Sequence, residues 1–223
     1  MPGDDMLSEK NIAEWRRCAP SLREAEVADG ETLYRQGETP GFLYCLTRGV
    51  VRLSHVAENG AQMTLAIAKA GDLFGRVPPG RASAHSASAT GDARVLMFAP
   101  SDVDRLVANS PSFSSFLSAG LEASRERAER RLIDRQTKTV AVRLIETLGE
   151  LALAFGAPCA HGYSLEIRLT QQDIADLVHA SRLVVTRIMN DLRRRGALDY
   201  RRDVICVNHL ALRSLAKEKP ADL

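Results

Sequence analysis

The chain has no apolar run long enough to cross a membrane, only four cysteines among 223 residues, and one tryptophan. The first lack argues against a helical membrane protein, because a span needs about eighteen or more apolar residues in succession. Cys18, Cys45, Cys159 and Cys206 lie at least 27 residues apart. That spacing suits neither a zinc knuckle nor a redox Cys-x-x-Cys pair, and each cysteine reads as a small buried hydrophobe. The acidic start Met1–Lys10 lacks the basic region and apolar core of a secretory signal, so a cytoplasmic location is expected. Phosphate-binding Gly-x-x-x-x-Gly-Lys, a nucleophile–base pair and a metal-ligand cluster are also missing, which argues against an enzyme. What is present, 45% hydrophobic and 26% charged residues at a net charge of +2, suits a globular chain with two modest cores.

From Gly30 to Pro100 short β-type runs alternate with glycines: Thr32–Tyr34, Leu43–Thr47, Val50–His55, Gln62–Ile67 and Arg94–Phe98. Such spacing predicts a compact all-β barrel or jelly roll, with Asn59-Gly60 as a hairpin turn. Ser101–Ala108 reads as a short helix capped by Ser101, and Ser110-Pro111 opens a longer one. Between Pro111 and Asp134 the residues Phe113, Phe116, Leu117, Leu121 and Leu132 make a narrow apolar seam in a charged helix. That pattern suits pairing with a second copy; packing on the helix's own β-domain is the other use of such a seam. The pattern lapses at Arg135–Lys138, where a hinge is expected, and resumes from Val140 to Leu151 before Gly156-Ala157-Pro158.

The stretch from Leu169 to Val207 carries the most chemistry. Thr170 is placed to cap a helix starting at Gln171, with Asp173 completing a capping box and Ile174, Leu177 and Val178 on one face. Ser181 caps a second helix whose Val185, Ile188, Met189 and Leu192 form the inward stripe, and Gly196 ends it. Arg182, Leu183, Thr186 and Arg187 are then left outward. Seven arginines lie between Arg182 and Arg202 against two aspartates, a local surplus of five in a chain whose net charge is only +2. Arginine near the start of such a helix matches the O6 and N7 acceptors of guanine, while the remaining charge suits phosphates. Ala197–Tyr200, a polar turn at Arg201–Asp203 and Val204–Val207 complete a hairpin, the wing of a winged helix-turn-helix, with Arg201 and Arg202 at its tip. A sensing module acting on a protein partner is the alternative class, and it would not need the base-reading Arg182 and Arg187.

The order of β-roll, long helix and winged helix-turn-helix resembles the CRP/FNR family of bacterial transcription regulators over residues 25–210. Its carriers are Gly30, Gly37, Gly49, Gly60 and Gly71-Asp72-Leu73-Phe74-Gly75, then Leu169-Thr170-Gln171-Gln172-Asp173-Ile174-Ala175 and Ser181–Ile188. The resemblance implies an α+β chain with a cyclic-nucleotide-binding-like β-roll in residues 1–110, a dimerisation helix at 111–134 and a DNA-binding winged helix-turn-helix at 135–223. It further implies a homodimer on a palindromic DNA site, with two reading helices about 34 Å apart, and RNA polymerase as a partner. Leu183 stands where the cAMP receptor has a glutamate that reads cytosine. It is suited to a thymine methyl instead. Phe155–Ala160 and Thr186-Arg187 look like the nitrogen-control group, NtcA.

For the effector, the same resemblance argues against cAMP. Arg76 replaces the ribose-binding glutamate, Ala82 precedes Ser83 where an arginine is needed, and Ala128-Glu129 replace the adenine-binding Thr-Ser pair. An iron–sulfur cluster would need clustered N-terminal cysteines, and only Cys18 is near. Haem is not expected either, since Gly75 and Val77 stand at the ligand positions. The groups left around Phe74 and Gly75 are Arg76, Arg81, Ser83 and Arg125, a basic set suited to a small carboxylate or phosphate. The nitrogen-control likeness makes 2-oxoglutarate the candidate, although Ala82 and Ser124 fall where that group has arginines. A protein active without ligand is the alternative.

Overall fold

Trp15 is fully buried, yet no pattern in the sequence pointed to the helix that carries it, α1 (Glu9–Cys18), capped by the Ser8 hydroxyl. The computed structural model describes residues 7–75, 81–165, 167–201 and 204–215, and the chain divides into two compact units, 1–128 and 129–223.

In the first unit, α1 is followed by β1 (Arg23–Val27), β2 (Thr32–Tyr34), β3 (Leu43–Arg48), β4 (Val51–Val56), β5 (Gln62–Ala68), β6 (Leu73–Gly75), β7 (Ser86–Ala89) and β8 (Ala93–Phe98). These form two antiparallel sheets, β1-β8-β3-β6 and β2-β7-β4-β5, in the manner of a jelly roll. Left-handed glycines supply its corners. Gly49 (φ +85°) is the tightest, since a Cβ there would lie 2.7 Å from the Cα of Ala93.

α2 (Pro100–Asn109) and α3 (Pro111–Thr137) follow. α2 starts one residue before the expected Ser101, with Ala99 at its cap and no side-chain cap, because Pro100 presets φ for the first turn and has no amide to satisfy. Trp15 packs edge-on against Phe113 (5.4 Å between centroids) and tilted against Phe116 (5.0 Å), and its Nε1 donates to Ser112 Oγ. Phe113 and Phe116 are therefore core residues of the first unit, not members of an uncovered seam. Gly120 allows close approach to Leu73, and Arg127 pairs with Asp72 at 3.1 Å. Beyond those anchors Leu121, Leu132 and Ile133 stay 57%, 67% and 60% exposed.

The second unit holds the end of α3, then α4 (Val140–Phe155), β9 (Gly156–Cys159), β10 (Gly162–Leu165), α5 (Gln171–Leu177), α6 (Arg182–Arg194), β11 (Leu198–Arg201), β12 (Val204–Val207) and α7 (His209–Leu215). Its sheet runs β11-β12-β10-β9. Gly156-Ala157-Pro158 does end α4, but it also enters β9, whose pairing with β10 had no alternating signature. Among the described residues no helix is long and apolar enough to cross a membrane.

Gly49→Ala should lower the stability of the first unit by at least about 2 kcal/mol, from a strained φ plus overpacking. Gly60→Ala, at φ +81° in open space, should cost only about 1 kcal/mol. Denaturant titration of both variants measures the difference, which isolates the close approach at Gly49.

Candidate nucleic-acid interface

α5 is short and needs its cap. The Thr170 hydroxyl accepts from the Asp173 amide (3.1 Å) while the Asp173 carboxylate accepts from the Thr170 amide (2.9 Å) and hydroxyl (2.7 Å). Together these bonds satisfy amides that a helix start leaves orphaned. Ser181 caps α6 through the Val184 amide. Val185, Met189 and Leu192 are fully buried; Ile188, expected with them, is half-buried at the stripe's margin. Thr186 donates to Gln171 Oε1 at 2.6 Å, so this hydroxyl joins α6 to α5.

The opposite face of α6 is a shallow concavity lined by Leu183, Thr186, Arg187, Asn190, Arg193 and Arg194. Arg182 and Arg187 are not buried and have no ion-pair partner among the described residues, and Leu183 is 84% exposed. Arg194 and Arg195 instead pair with Asp191 (3.1 and 3.0 Å), and Arg193 lies 3.7 Å from Asp199. Aspartates thus temper the C-terminal half of the arginine cluster and leave the first turns of α6 uncompensated. Asn190 was missed by sequence reasoning. Its place one turn beyond Arg187 on the outward face was the available signal, and its amide has the donor–acceptor pair that matches adenine. Arg201 ends β11, and Arg202 lies outside the described residues. The turn before α6 passes through His179, a non-glycine residue at φ +51°. Partial burial and the nearby Arg135, Arg131 and Arg143 hold its imidazole pKa below the usual value.

Of the expected effector residues that are described, Phe74, Gly75, Arg81 and Ser83 belong to the β-roll and Arg125 to α3. The Gly75 amide, expected to be open to an anion, donates to the Tyr34 hydroxyl (3.2 Å), which is also 2.9 Å from His85 Nε2. Burial pushes the Tyr34 hydroxyl pKa up. Phe74 stacks on Tyr44 at 5.5 Å, and Tyr44 on Tyr34 at 5.7 Å. Ser83 is buried and donates to the His85 carbonyl. Arg125 pairs with Glu122 at 2.6 Å, and Arg81 is exposed. Arg76 lies outside the described residues. Among the described residues no cluster of three or more His, Cys, Asp or Glu side chains is arranged to hold a metal ion.

Residues 24–110 match the family profile of the cyclic nucleotide-binding domain, and residues 142–215 that of the Crp-like helix-turn-helix domain. A global nitrogen regulator from Nostoc is 28% identical over 182 residues, covering 80% of this chain and 82% of that protein. A CRP-like cAMP-activated global transcriptional regulator from Mycobacterium tuberculosis is 28% identical over 178 residues, 78% of this chain and 79% of that one. Among solved structures, FixK2 from Bradyrhizobium japonicum shares the fold at a TM-score of 0.75 and 21% identity, covering 89% of this chain and 98% of its own. A transcriptional regulator of the CRP family from Thermus thermophilus reaches 0.74 at 25% identity, covering 87% and 97%.

Thr170→Ala removes the cap of α5 and should destabilise the second unit by about 1–2 kcal/mol. Thermal melting followed by circular dichroism checks this without any ligand.

Proposed function

The chain belongs to the CRP/FNR family of transcription regulators, and on that premise we propose that it binds palindromic promoter sites in double-stranded DNA as a homodimer. The observation that carries this reading is the outward face of α6, where Arg182 and Arg187 flank an exposed Leu183 and have no ion-pair partner among the described residues. In this reading Arg182 and Arg187 contact guanine edges, Leu183 covers a thymine methyl, and Asn190 faces the same groove. Thr170 and Ser181 stand at helix starts, where amides favour a backbone phosphate. Arg201 and Arg202 of the wing add phosphate contacts.

The reading assigns residues 1–110 to a sensor domain, 111–134 to a dimerisation helix and 135–223 to DNA binding. Leu121 and Leu132, three turns apart on α3, are on one side of that helix and support pairing with a second copy. A two-fold dimer presents its reading helices to successive major grooves and so calls for a palindrome. The regulator works in the cytoplasm, with RNA polymerase as the protein that it influences.

No cyclic nucleotide is needed in this reading. Gly75, Ser83 and Arg125 already have internal partners, and stacked Tyr34, Tyr44 and Phe74 are buried in the roll. This supports a regulator competent without ligand over one that waits for cAMP or a small anion such as 2-oxoglutarate.

The test is selection from a random duplex library by the full-length protein, alone and with cAMP or 2-oxoglutarate. Equal enrichment of one palindrome in all arms is expected. Enrichment in only one ligand arm would replace the ligand-free reading, and none in any arm would reject DNA recognition. On the selected site, Arg182→Ala should cost about 1–3 kcal/mol and flatten the preference at one base pair per half-site. Arg201→Ala should weaken binding to all sequences and reduce the salt slope by about one. Fluorescence anisotropy over a salt series separates the two.

A further inference from the structure

Two helix ends in the second unit converge on one guanidinium. The last carbonyls of a helix lack intrahelical donors and carry the negative end of its dipole. Lys138 follows the last residue of α3, and Val178 is the C-cap of α5. Arg143, in the first turn of α4, donates from Nη1 to the Lys138 carbonyl at 2.7 Å and from Nε to the Val178 carbonyl at 3.0 Å. One planar, permanently charged group therefore closes both ends at a fixed angle.

Both sides of that tie are themselves held. Lys138 Nζ lies 2.9 Å from Asp134 on α3 and 2.7 Å from Glu146 on α4, and the Thr139 hydroxyl caps α4. On the other side, Val178 leads through His179, in its left-handed conformation, to the Ser181 cap of α6. The path from the end of α3 to the reading helix thus runs through ion pairs, caps and directed hydrogen bonds. A junction so fixed has little freedom to change the angle at which α6 is presented.

We propose that Arg143 is a positioning residue that sets the angle of α6 relative to the end of α3, and thereby the half-site spacing that the dimer accepts. This rests on the palindromic-dimer reading above. If the reading helices hang from paired α3 helices, a change in that angle moves them along the DNA axis, where one base pair is about 3.4 Å. Lysine cannot replace Arg143 in this role, because an ammonium is a point charge without two donors at a fixed angle.

The experiment compares full-length wild type, Arg143→Lys and Arg143→Gln on operators whose half-site spacing is shortened or lengthened by one base pair. The wild type should favour one spacing. In both variants the ratio of affinities between the best and the shifted operator should fall about tenfold, the weight of one charge-assisted hydrogen bond. Base preference within each half-site should persist. A lowered melting temperature with an unchanged spacing ratio would mean that Arg143 only stabilises the fold, and would overturn the proposal. Binding of the wild type to single half-sites with no spacing preference would reject the palindromic dimer itself, and this proposal with it. Binding of the wild type at one spacing, retained by both variants, would reject the proposal alone.

Discussion

The outward face of α6 is fixed by what lies behind it. Val185, Met189 and Leu192 are fully buried, and a helix offers only one rotation that hides all three. Once that rotation is set, Leu183, Arg187, Asn190 and Arg194 have nowhere to go but outward. The neighbouring details serve the same end. Ser181 starts the helix, the Thr186–Gln171 bond ties it to α5, and Gly196 (φ +70°) turns the chain into the wing strands. Asp191 and Asp199 draw the later arginines back toward the protein, so local acids shape the positive field as much as the arginines do.

α3 meets two demands with one sequence. Its first turns are core, where Phe113 and Phe116 close around Trp15, while Leu121, Leu132 and Ile133 are left uncovered. The stripe, already interrupted at Ser124 and Ala128 in the sequence, is therefore buried in its first turns and exposed beyond them. In the β-roll the economy is different. Tyr34 brings a hydroxyl to the Gly75 amide, so a donor at a glycine-rich corner is satisfied within the protein. That pairing ties the β6 corner to β2 from within the roll.

What could be read from the sequence was local. The capping box at Thr170 and Asp173, the Ser181 cap and the stripe from Val185 to Leu192 depend on neighbours three or four residues away, and the structure has them in place. The features that escaped depend on distant partners. α1 is held by Trp15 against Ser112, 97 residues on; the Gly75 amide finds Tyr34 across 41 residues; Arg143 reaches Val178 across 35. β9 and β10 are strands because β9 pairs with β10 and β10 with β12, not because of alternation in their own residues. Ser101 illustrates a local rule overruled by another, as Pro100 took the first helical position. The arginines were visible as a count; which of them lack counter-charges was visible only in three dimensions.

Leu183 carries a thermodynamic signature of its own. A leucine 84% exposed on an otherwise polar, charged face keeps a shell of water that only an apolar partner can displace. If that partner is a thymine methyl, burial of the pair gives complex formation a negative heat-capacity change, while the phosphate contacts respond mainly to salt. Sequence discrimination and general affinity would then respond to different physical variables, temperature for the first and ionic strength for the second.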